Sequence, residues 1–156
     1  KIMLMGDSAG SNLAALLLYD RENLRKIGAK QSQFDCFVSF VGALDIDKMH
    51  KTNAFKEFTN GYDPAILRKA NPANYIQKGE QVPVLAFHGT ADGYVDYECT
   101  ESFIKKLNTL QPNLAKILTI NEGTHISAGG EWLYKDNEVK QFFENWLNKK
   151  ELQLEN

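Results

Sequence analysis

Three residues of this chain carry side chains that together could cleave an acyl bond: Ser8, Asp92 and His125. A serine hydroxyl is a poor nucleophile near neutral pH, so it needs an imidazole to accept its proton. The imidazole in turn needs a carboxylate that fixes its tautomer and stabilises its cation. The chain supplies one residue of each type, in the order Ser, Asp, His. These residues therefore predict nucleophilic acyl chemistry.

Ser8 is the central residue of the pentapeptide Gly6-Asp7-Ser8-Ala9-Gly10, which has the pattern G-x-S-x-G. In a nucleophile elbow of this pattern, the serine occupies a strained turn between a strand and a helix, and small residues keep that turn free of clashes. We expect Gly6 and Gly10 to be the small residues that prevent clashes in this turn. The Ser8 hydroxyl would then project from the edge of the sheet. The backbone N–H of Ala9 would then donate to an oxyanion.

Other residues compete for the roles of acid and base. Asp96 lies four residues after Asp92 and is the alternative acid, and Asp92 could instead stabilise a turn through its side chain. His88 ends an apolar run, and His50 lies in a polar stretch where we expect it to be solvated. The sequence favours Asp92 as the acid and His125 as the base.

Four short apolar runs predict the strands that position these side chains. The run before Ser8 is interpreted as a fully buried strand. The predicted strands are residues 2–5, 36–41, 84–87 and 116–120. Because helical patterns separate them, we expect an α/β fold with a parallel sheet and helices on both faces. Reactive residues gather at the carboxyl ends of the strands in such sheets, and Ser8, Asp92 and His125 follow the first, third and fourth strands.

Apolar residues at helical spacing predict three long helices. The first covers residues 12–26, stops at Gly28 and has an apolar side formed by Leu13, Leu16, Leu17 and Leu24. The second covers residues 97–110, with Phe103, Ile104, Leu107 and Leu110 on one side. A loop over residues 121–130 precedes the third, whose core face is Val139, Phe142, Phe143, Trp146 and Leu147.

Residues 45–82 form a polar excursion from this alternation, with short helices predicted around residues 53–59 and 64–68. The simplest interpretation is a solvated surface. A lid or a wall of an acyl pocket is the alternative.

Composition limits the function classes. A chain of 156 residues fits one domain, and its net charge of −2 has no asymmetry that would favour nucleic acid or an anionic membrane as a partner. No apolar run is long enough for a membrane-spanning helix. Cys36 and Cys99 lack metal-ligand spacing and are interpreted as free thiols. We find no metal-binding pattern and no phosphate-binding loop, so no cofactor is predicted.

Three segments carry recognisable motifs: residues 6–14 (GDSAGSNLA), residues 88–95 (HGTADGYV) and residues 123–125 (GTH). They resemble the signatures G-D-S-A-G-[G/A]-[N/H]-L-A, H-G-x-x-D-x-x-V and G-x-H of the α/β-hydrolase superfamily. The resemblance is to its esterase and lipase branch, which includes hormone-sensitive-lipase-like and feruloyl or acetyl-xylan esterase-like enzymes. It implies that Asp92 is the triad acid and that His88 is structural. The order Ser, Asp, His is also that of this superfamily.

The resemblance implies that the chain corresponds to the last four strands of an eight-stranded sheet. Residues 1–150 would then be a partial catalytic domain and residues 151–156 a tail. Members of the superfamily usually carry four further strands and a loop that completes the oxyanion hole, and neither is found in this sequence. The first strand would be an unpaired edge, which predicts a homodimer through that edge.

The activity implied by the resemblance is hydrolysis of a small-molecule or carbohydrate-linked carboxylic ester through an acyl-enzyme. A serine peptidase of the prolyl-oligopeptidase type is an alternative, although Ala9 stands where an aromatic residue is common in such peptidases. A truncated hydrolase that only binds or assembles is a second alternative. The sequence favours neither a cytoplasmic nor a secreted location.

Overall fold

A parallel sheet organises the described part of the chain. The computed structural model describes residues 2–130, 140–141 and 143–148. In these residues four strands lie side by side in chain order, and all neighbouring pairs are parallel. The strands are β1 Met3–Asp7, β2 Cys36–Phe40, β3 Val84–Gly89 and β4 Ala115–Ile120. The predicted α/β fold with a parallel sheet is therefore confirmed.

Helices lie between these strands and after the last one. They are α1 Ala9–Tyr19, α2 Arg21–Lys26, α3 Asn53–Phe58, α4 Pro64–Ala70, α5 Tyr97–Leu110 and α6 His125–Gly129. Residues 140–141 and 143–148 are also helical. α5 has the predicted bounds, and α3 and α4 lie where the short helices of the excursion were predicted. No helix in the described part of the chain is long and apolar enough to cross a bilayer.

Each face of the sheet packs against different helices. On one face, Phe37 and Ala86 contact the buried sides of α1 and α5. On the other face, Phe87 packs against Ala128 of α6, and its ring lies 6.2 Å from that of Phe143. Phe143 and Trp146 therefore contribute to the core as predicted, whereas Val139 and Phe142 lie outside the described residues.

The prediction of one helix over residues 12–26 is wrong because the chain breaks at Asp20. The Asp20 side chain accepts a hydrogen bond from the Asn23 N–H, which starts α2 as a separate helix. Gly28 follows α2 with φ 74°, a conformation that favours glycine. Local capping therefore overrides the apolar periodicity that runs across this boundary.

The predicted apolar side of the first helix is correct at Leu24, which is buried, but wrong at Leu13 and Leu17. Leu13 is 68% exposed and Leu17 is 36% exposed, whereas Ala15 and Leu18 are fully buried. The side chain of Asn12 donates to the carbonyl of Ala43, which fixes the rotation of α1. Small alanines therefore face the sheet, and Leu13 faces outward.

β1 is not the fully buried strand that its apolar sequence predicts. Its side chains alternate between half-buried and exposed, and Met3 and Met5 are 43% and 42% exposed. In the described residues β1 lies at the edge of the sheet, paired with β2 alone. Association of this edge with a second copy of the chain stays a prediction.

The excursion is more than a solvated surface, because several of its side chains are buried. Ile46 and Phe55 pack with Ala43, Val95 and Cys99 in one apolar cluster. This cluster attaches the excursion to the residues that follow β2 and β3. Cys99 and Cys36, which lies in β2, are both buried, and Cys99 is a free thiol as predicted.

Candidate active site

Ser8 occupies a strained turn between β1 and α1. Its backbone has φ 51° and ψ −122°, and its N–H donates to the carbonyl of Phe40 at 2.8 Å. A non-glycine residue at positive φ costs energy that the surrounding structure must supply, and such residues concentrate at functional sites. Ala9 is the first residue of α1, so its N–H has no partner within the helix. This places a free amide next to the serine hydroxyl.

The small residues around Ser8 do not have equal roles. A Cβ on Gly6 would lie 2.5 Å from Cα of Ser11, so the turn requires glycine there. A Cβ on Gly10 would meet no atom within 4 Å, so the expectation that Gly10 prevents a clash is wrong for the described part of the chain. Asp7 points toward α6, where a Cβ on Gly129 would lie 2.9 Å from Asp7 Oδ1.

Two hydrogen bonds join the three predicted site residues. Nε2 of His125 lies 2.9 Å from Oγ of Ser8, and Nδ1 of His125 lies 2.7 Å from Oδ2 of Asp92. Ser8 follows β1, Asp92 follows β3 and His125 is the first residue of α6, after β4. The structure thus brings together side chains that are as far as 117 positions apart in the sequence.

His125 is held by α6, which lies in the segment predicted to be a loop. Thr124 caps this helix, since its hydroxyl accepts from the Ser127 N–H and the Ser127 hydroxyl accepts from the Thr124 N–H. The sequence Thr-x-x-Ser resembles a capping box with serine in the place of the usual glutamate, and this explains why the pattern was missed.

The turn that carries Asp92 contacts the loop before His125, and two glycines allow the close approach. The carbonyl of Gly123 accepts from the Ala91 N–H at 3.0 Å, and a Cβ on Gly89 would overlap that carbonyl. The Glu122 N–H also donates to the Thr90 hydroxyl at 2.8 Å. Only a residue without a Cβ allows this approach at position 89. Sequence reasoning did not identify the contact, because it joins two loops that are distant in the chain.

His88 supports the loop that carries Asp92. It is fully buried, its Nδ1 lies 2.7 Å from the Thr100 hydroxyl and its Nε2 lies 3.0 Å from the carbonyl of Val95. Burial lowers the pKa of His88. The Thr100 hydroxyl also donates to the carbonyl of Gly42 at 3.0 Å, and Nε2 of His88 also lies 3.3 Å from Oδ2 of Asp92. His88 therefore holds the turn after β3 and does not contact Ser8.

The alternative acid, Asp96, lies in a different interaction. Its Oδ2 accepts from the His50 N–H at 2.6 Å and lies 2.7 Å from Nδ1 of the same residue. Burial alone would raise the pKa of Asp96, but these hydrogen bonds from His50 hold it below its usual value. His50 is half-exposed and paired, and so is not simply solvated as expected.

A polar cluster beneath Ser8 was also missed from the sequence. The Ser11 hydroxyl donates to the carbonyl of Gly6 at 2.6 Å, and the Ser39 hydroxyl donates to Ser11 Oγ at 3.0 Å. Gly42 packs so closely on both serines that a Cβ there would overlap the Ser39 hydroxyl. This cluster holds the elbow against β2, and a serine directly after Gly10 gives no local signal of it.

An open cleft of about 530 Å³ begins at Ser8 and Ala9. Its lining comes from α1, from the excursion and from the turn after Asp92. The apolar side chains are Leu13, Ile46, Met49, Phe55, Phe58 and Val95. A pocket of this size and character suits the apolar part of a small ligand. In the ranges that the structure describes, no group of three or more His, Cys, Asp or Glu side chains is arranged to hold a metal ion.

Comparisons with known proteins agree on the fold. A family model described as BD-FAE matches residues 1–107, which include Ser8 and Asp92 but not His125. A thermophilic esterase from Thermogutta terrifontis superposes with a TM-score of 0.68 at 20% identity, covering 99% of this chain and 55% of that chain. The same enzyme, esterase 2, phosphonylated by sarin, superposes with a TM-score of 0.71 at 21% identity and coverages of 99% and 57%.

This chain therefore spans about half the length of the solved structures that it matches. The butyrate-bound form of the Thermogutta esterase gives the same coverage of this chain, 99%, with a TM-score of 0.68 at 22% identity. None of the curated proteins matches the chain. At this level of identity the likeness to solved structures establishes an α/β-hydrolase fold.

Proposed function

Because this chain belongs to the BD-FAE family of α/β-hydrolase-like esterases, we propose that it hydrolyses carboxylic esters. One observation carries the proposal: the two hydrogen bonds that connect Ser8, His125 and Asp92 in a single line, at 2.9 Å and 2.7 Å. This is the arrangement that nucleophilic acyl transfer by a serine requires.

In the proposed first half-reaction, Oγ of Ser8 attacks the ester carbonyl carbon while Nε2 of His125 accepts the hydroxyl proton. The negative charge that develops on the carbonyl oxygen is stabilised by the N–H of Ala9. His125 then donates its proton to the leaving alcohol as the carbon–oxygen bond breaks, which leaves an acyl group on Ser8. Asp92 keeps the imidazole in the required orientation and stabilises its cation.

The second half-reaction repeats these steps with water. His125 accepts a proton from the attacking water and then donates it to Oγ of Ser8 as the acyl–oxygen bond breaks, which releases the carboxylic acid and restores the Ser8 hydroxyl. We propose a small-molecule or carbohydrate-linked ester as the substrate, with its carbonyl carbon next to Ser8. No step of the proposed reaction uses a cofactor.

The experiment that tests this function combines a fluorophosphonate probe with p-nitrophenyl acetate hydrolysis. We expect the wild-type chain to be labelled and to release p-nitrophenol, and both signals to disappear in Ser8→Ala. His125→Ala should lower kcat on the order of 10⁴-fold. Ser32→Ala is the matched control, because Ser32 is an exposed serine away from the site, and it should behave as wild type.

Two outcomes would contradict the proposal. If circular dichroism shows a folded wild-type chain that neither reacts with the probe nor cleaves the ester, a binding or assembly role becomes the better account. If the chain cleaves a prolyl peptide substrate and leaves esters intact, the peptidase alternative replaces ester hydrolysis.

A further inference from the structure

Large exposed apolar side chains gather around the cleft at Ser8. Leu13, Phe58 and Tyr94 all line it and are 68%, 62% and 71% exposed. A single exposed apolar side chain is ordinary on a protein surface, but several that border one concave site indicate a ligand with apolar surface. They come from α1, from α3 and from the turn after Asp92, so they converge only in the fold.

Asn12 and Thr52, two polar residues of the cleft lining, each make side-chain hydrogen bonds within the protein. The Asn12 amide donates to the carbonyls of Ala43 and Ala70, at 2.7 Å and 3.1 Å. The Thr52 hydroxyl accepts from the Phe55 N–H at 3.0 Å and caps α3. The surface that remains for a ligand is therefore mainly apolar, and it suits a hydrocarbon chain better than a sugar or a charged group.

The position of the cleft relative to Ser8 and His125 indicates which part of a bound ester, the acyl chain or the alcohol, enters it. Ser8 and Ala9 line the cleft, whereas His125 does not. In the proposed reaction the alcohol oxygen must lie beside Nε2 of His125, which protonates it. An ester with its carbonyl carbon at Ser8 and its alcohol beside His125 therefore directs its acyl chain into the cleft. Tyr94 lines the cleft and its ring lies 5.3 Å from that of His125, so it lies where the acyl side and the alcohol side meet.

We propose that this cleft binds an extended apolar acyl chain, and that Phe58 on α3 is a specificity-determining residue for it. The proposal rests on the proposed ester hydrolysis and gives the excursion a function, because α3 belongs to residues 45–82. At about 530 Å³ the cleft has the size of an ordinary small-molecule site and is large enough for an octanoyl group.

The test measures kcat/KM for the p-nitrophenyl esters of acetate, butyrate and octanoate, which share one leaving group. Burial of each added methylene in the cleft should raise kcat/KM by up to about fourfold. Phe58→Ala should lower the ratio of kcat/KM for octanoate to kcat/KM for acetate by about tenfold. Ile27→Ala removes a side chain that is 67% exposed and lies outside the cleft, so it should leave this ratio unchanged.

A second series, ethyl and octyl acetate, varies the alcohol at a constant acyl group. If Phe58→Ala acts on this series and leaves the acyl series unchanged, the assignment of the acyl chain to the cleft is overturned. If all acyl lengths react equally and Phe58→Ala changes none of them, the apolar acyl site is overturned while ester hydrolysis stands.

Loss of hydrolysis for every ester would reject the proposed function, and binding then tests the cleft separately. In Ser8→Ala, ligand-observed NMR should show that octanoate binds more tightly than acetate. The preference should weaken when Phe58→Ala is added. Equal binding of the two acids would overturn the inference whether or not the chain is an enzyme.

Discussion

Asp92 and His125 are joined by a hydrogen bond of 2.7 Å, and further contacts hold each of the two side chains in place. The second oxygen of Asp92 accepts from the N–H groups of Tyr94 and Val95, at 2.9 Å and 3.0 Å. The Asp92 side chain is fully buried and His125 is held by the start of α6. The imidazole therefore has one orientation, in which Nε2 faces Ser8.

We expect Asp92→Asn to lower kcat for ester hydrolysis on the order of 10⁴-fold, with a small change in KM. An amide at this position favours the wrong tautomer of His125 and does not stabilise its cation. Steady-state kinetics with p-nitrophenyl acetate measures both constants.

Asp96→Asn is the matched control, because it removes the charge of the other candidate acid. Asp96 contacts His50 and lies apart from the line of side chains that ends at Ser8. The Asp96→Asn variant should retain the wild-type kcat for ester hydrolysis. A large loss in Asp96→Asn together with full activity in Asp92→Asn would reverse the assignment of the acid.

The sequence was sufficient to predict where the three candidate side chains meet. Ser8, Asp92 and His125 each follow a predicted strand, and the carboxyl ends of parallel strands lie at one edge of the sheet. The order of the strands is also simple, since each pairs with the next in the chain. The first conclusion needs only periodicity and strand direction, whereas the strand order was implied by the resemblance to the α/β-hydrolase superfamily.

The sequence was not sufficient to predict which sides of the elements are buried. The leucines of α1 suggested one face, but Asn12 bonds to the loop after β2 and turns Leu13 outward. β1 is as apolar as a central strand, and its exposure depends on the neighbours it has in the sheet. The contact of Gly89 with Gly123 joins separate loops. Each of these depends on tertiary contacts that leave no local pattern.

The two glycines of the elbow should respond differently to alanine. Gly6→Ala places a Cβ 2.5 Å from Cα of Ser11, so backbone must move, and we expect lower stability and displacement of Ser8. Gly10→Ala adds a methyl group into open space within α1, where alanine is the better helix former. Urea unfolding and probe labelling of both variants measure the difference. Equal destabilisation by the two substitutions would contradict this account.

His88 should make the stability of the fold depend on pH. Burial lowers its pKa, so the unfolded chain binds the proton more readily than the folded chain. The contribution of the neutral ring is complete above the unfolded pKa, about 6.5, and is lost as the pH falls from there through the lower folded pKa.

The variant that tests this is His88→Gln, which retains a side-chain donor but has no group that titrates. We expect the free energy of unfolding of the wild type to fall more steeply than that of His88→Gln as the pH decreases below about 6.5. Urea denaturation at several pH values gives both slopes. Parallel slopes would show that the ring of His88 is not held neutral by the fold.

Asn12 should be important for stability because it connects α1 to the excursion. Its amide donates to the carbonyls of Ala43 and Ala70, and the side chain is 7% exposed. Asn12→Ala leaves two carbonyls without this donor, and an unsatisfied buried polar group costs about 1–3 kcal/mol. We therefore expect a loss of that size in the free energy of unfolding, measured by urea denaturation.

Asn23→Ala is the control for this variant, because the Asn23 amide makes an exposed hydrogen bond with Asp20 on the surface of α2. An exposed pair of this kind exchanges with water, so its loss should cost less than the loss of Asn12. If the two alanine variants are equally stable, Asn12 does not hold the excursion against α1. The wall of the cleft that α3 forms would then depend on the apolar cluster around Phe55 and Val95.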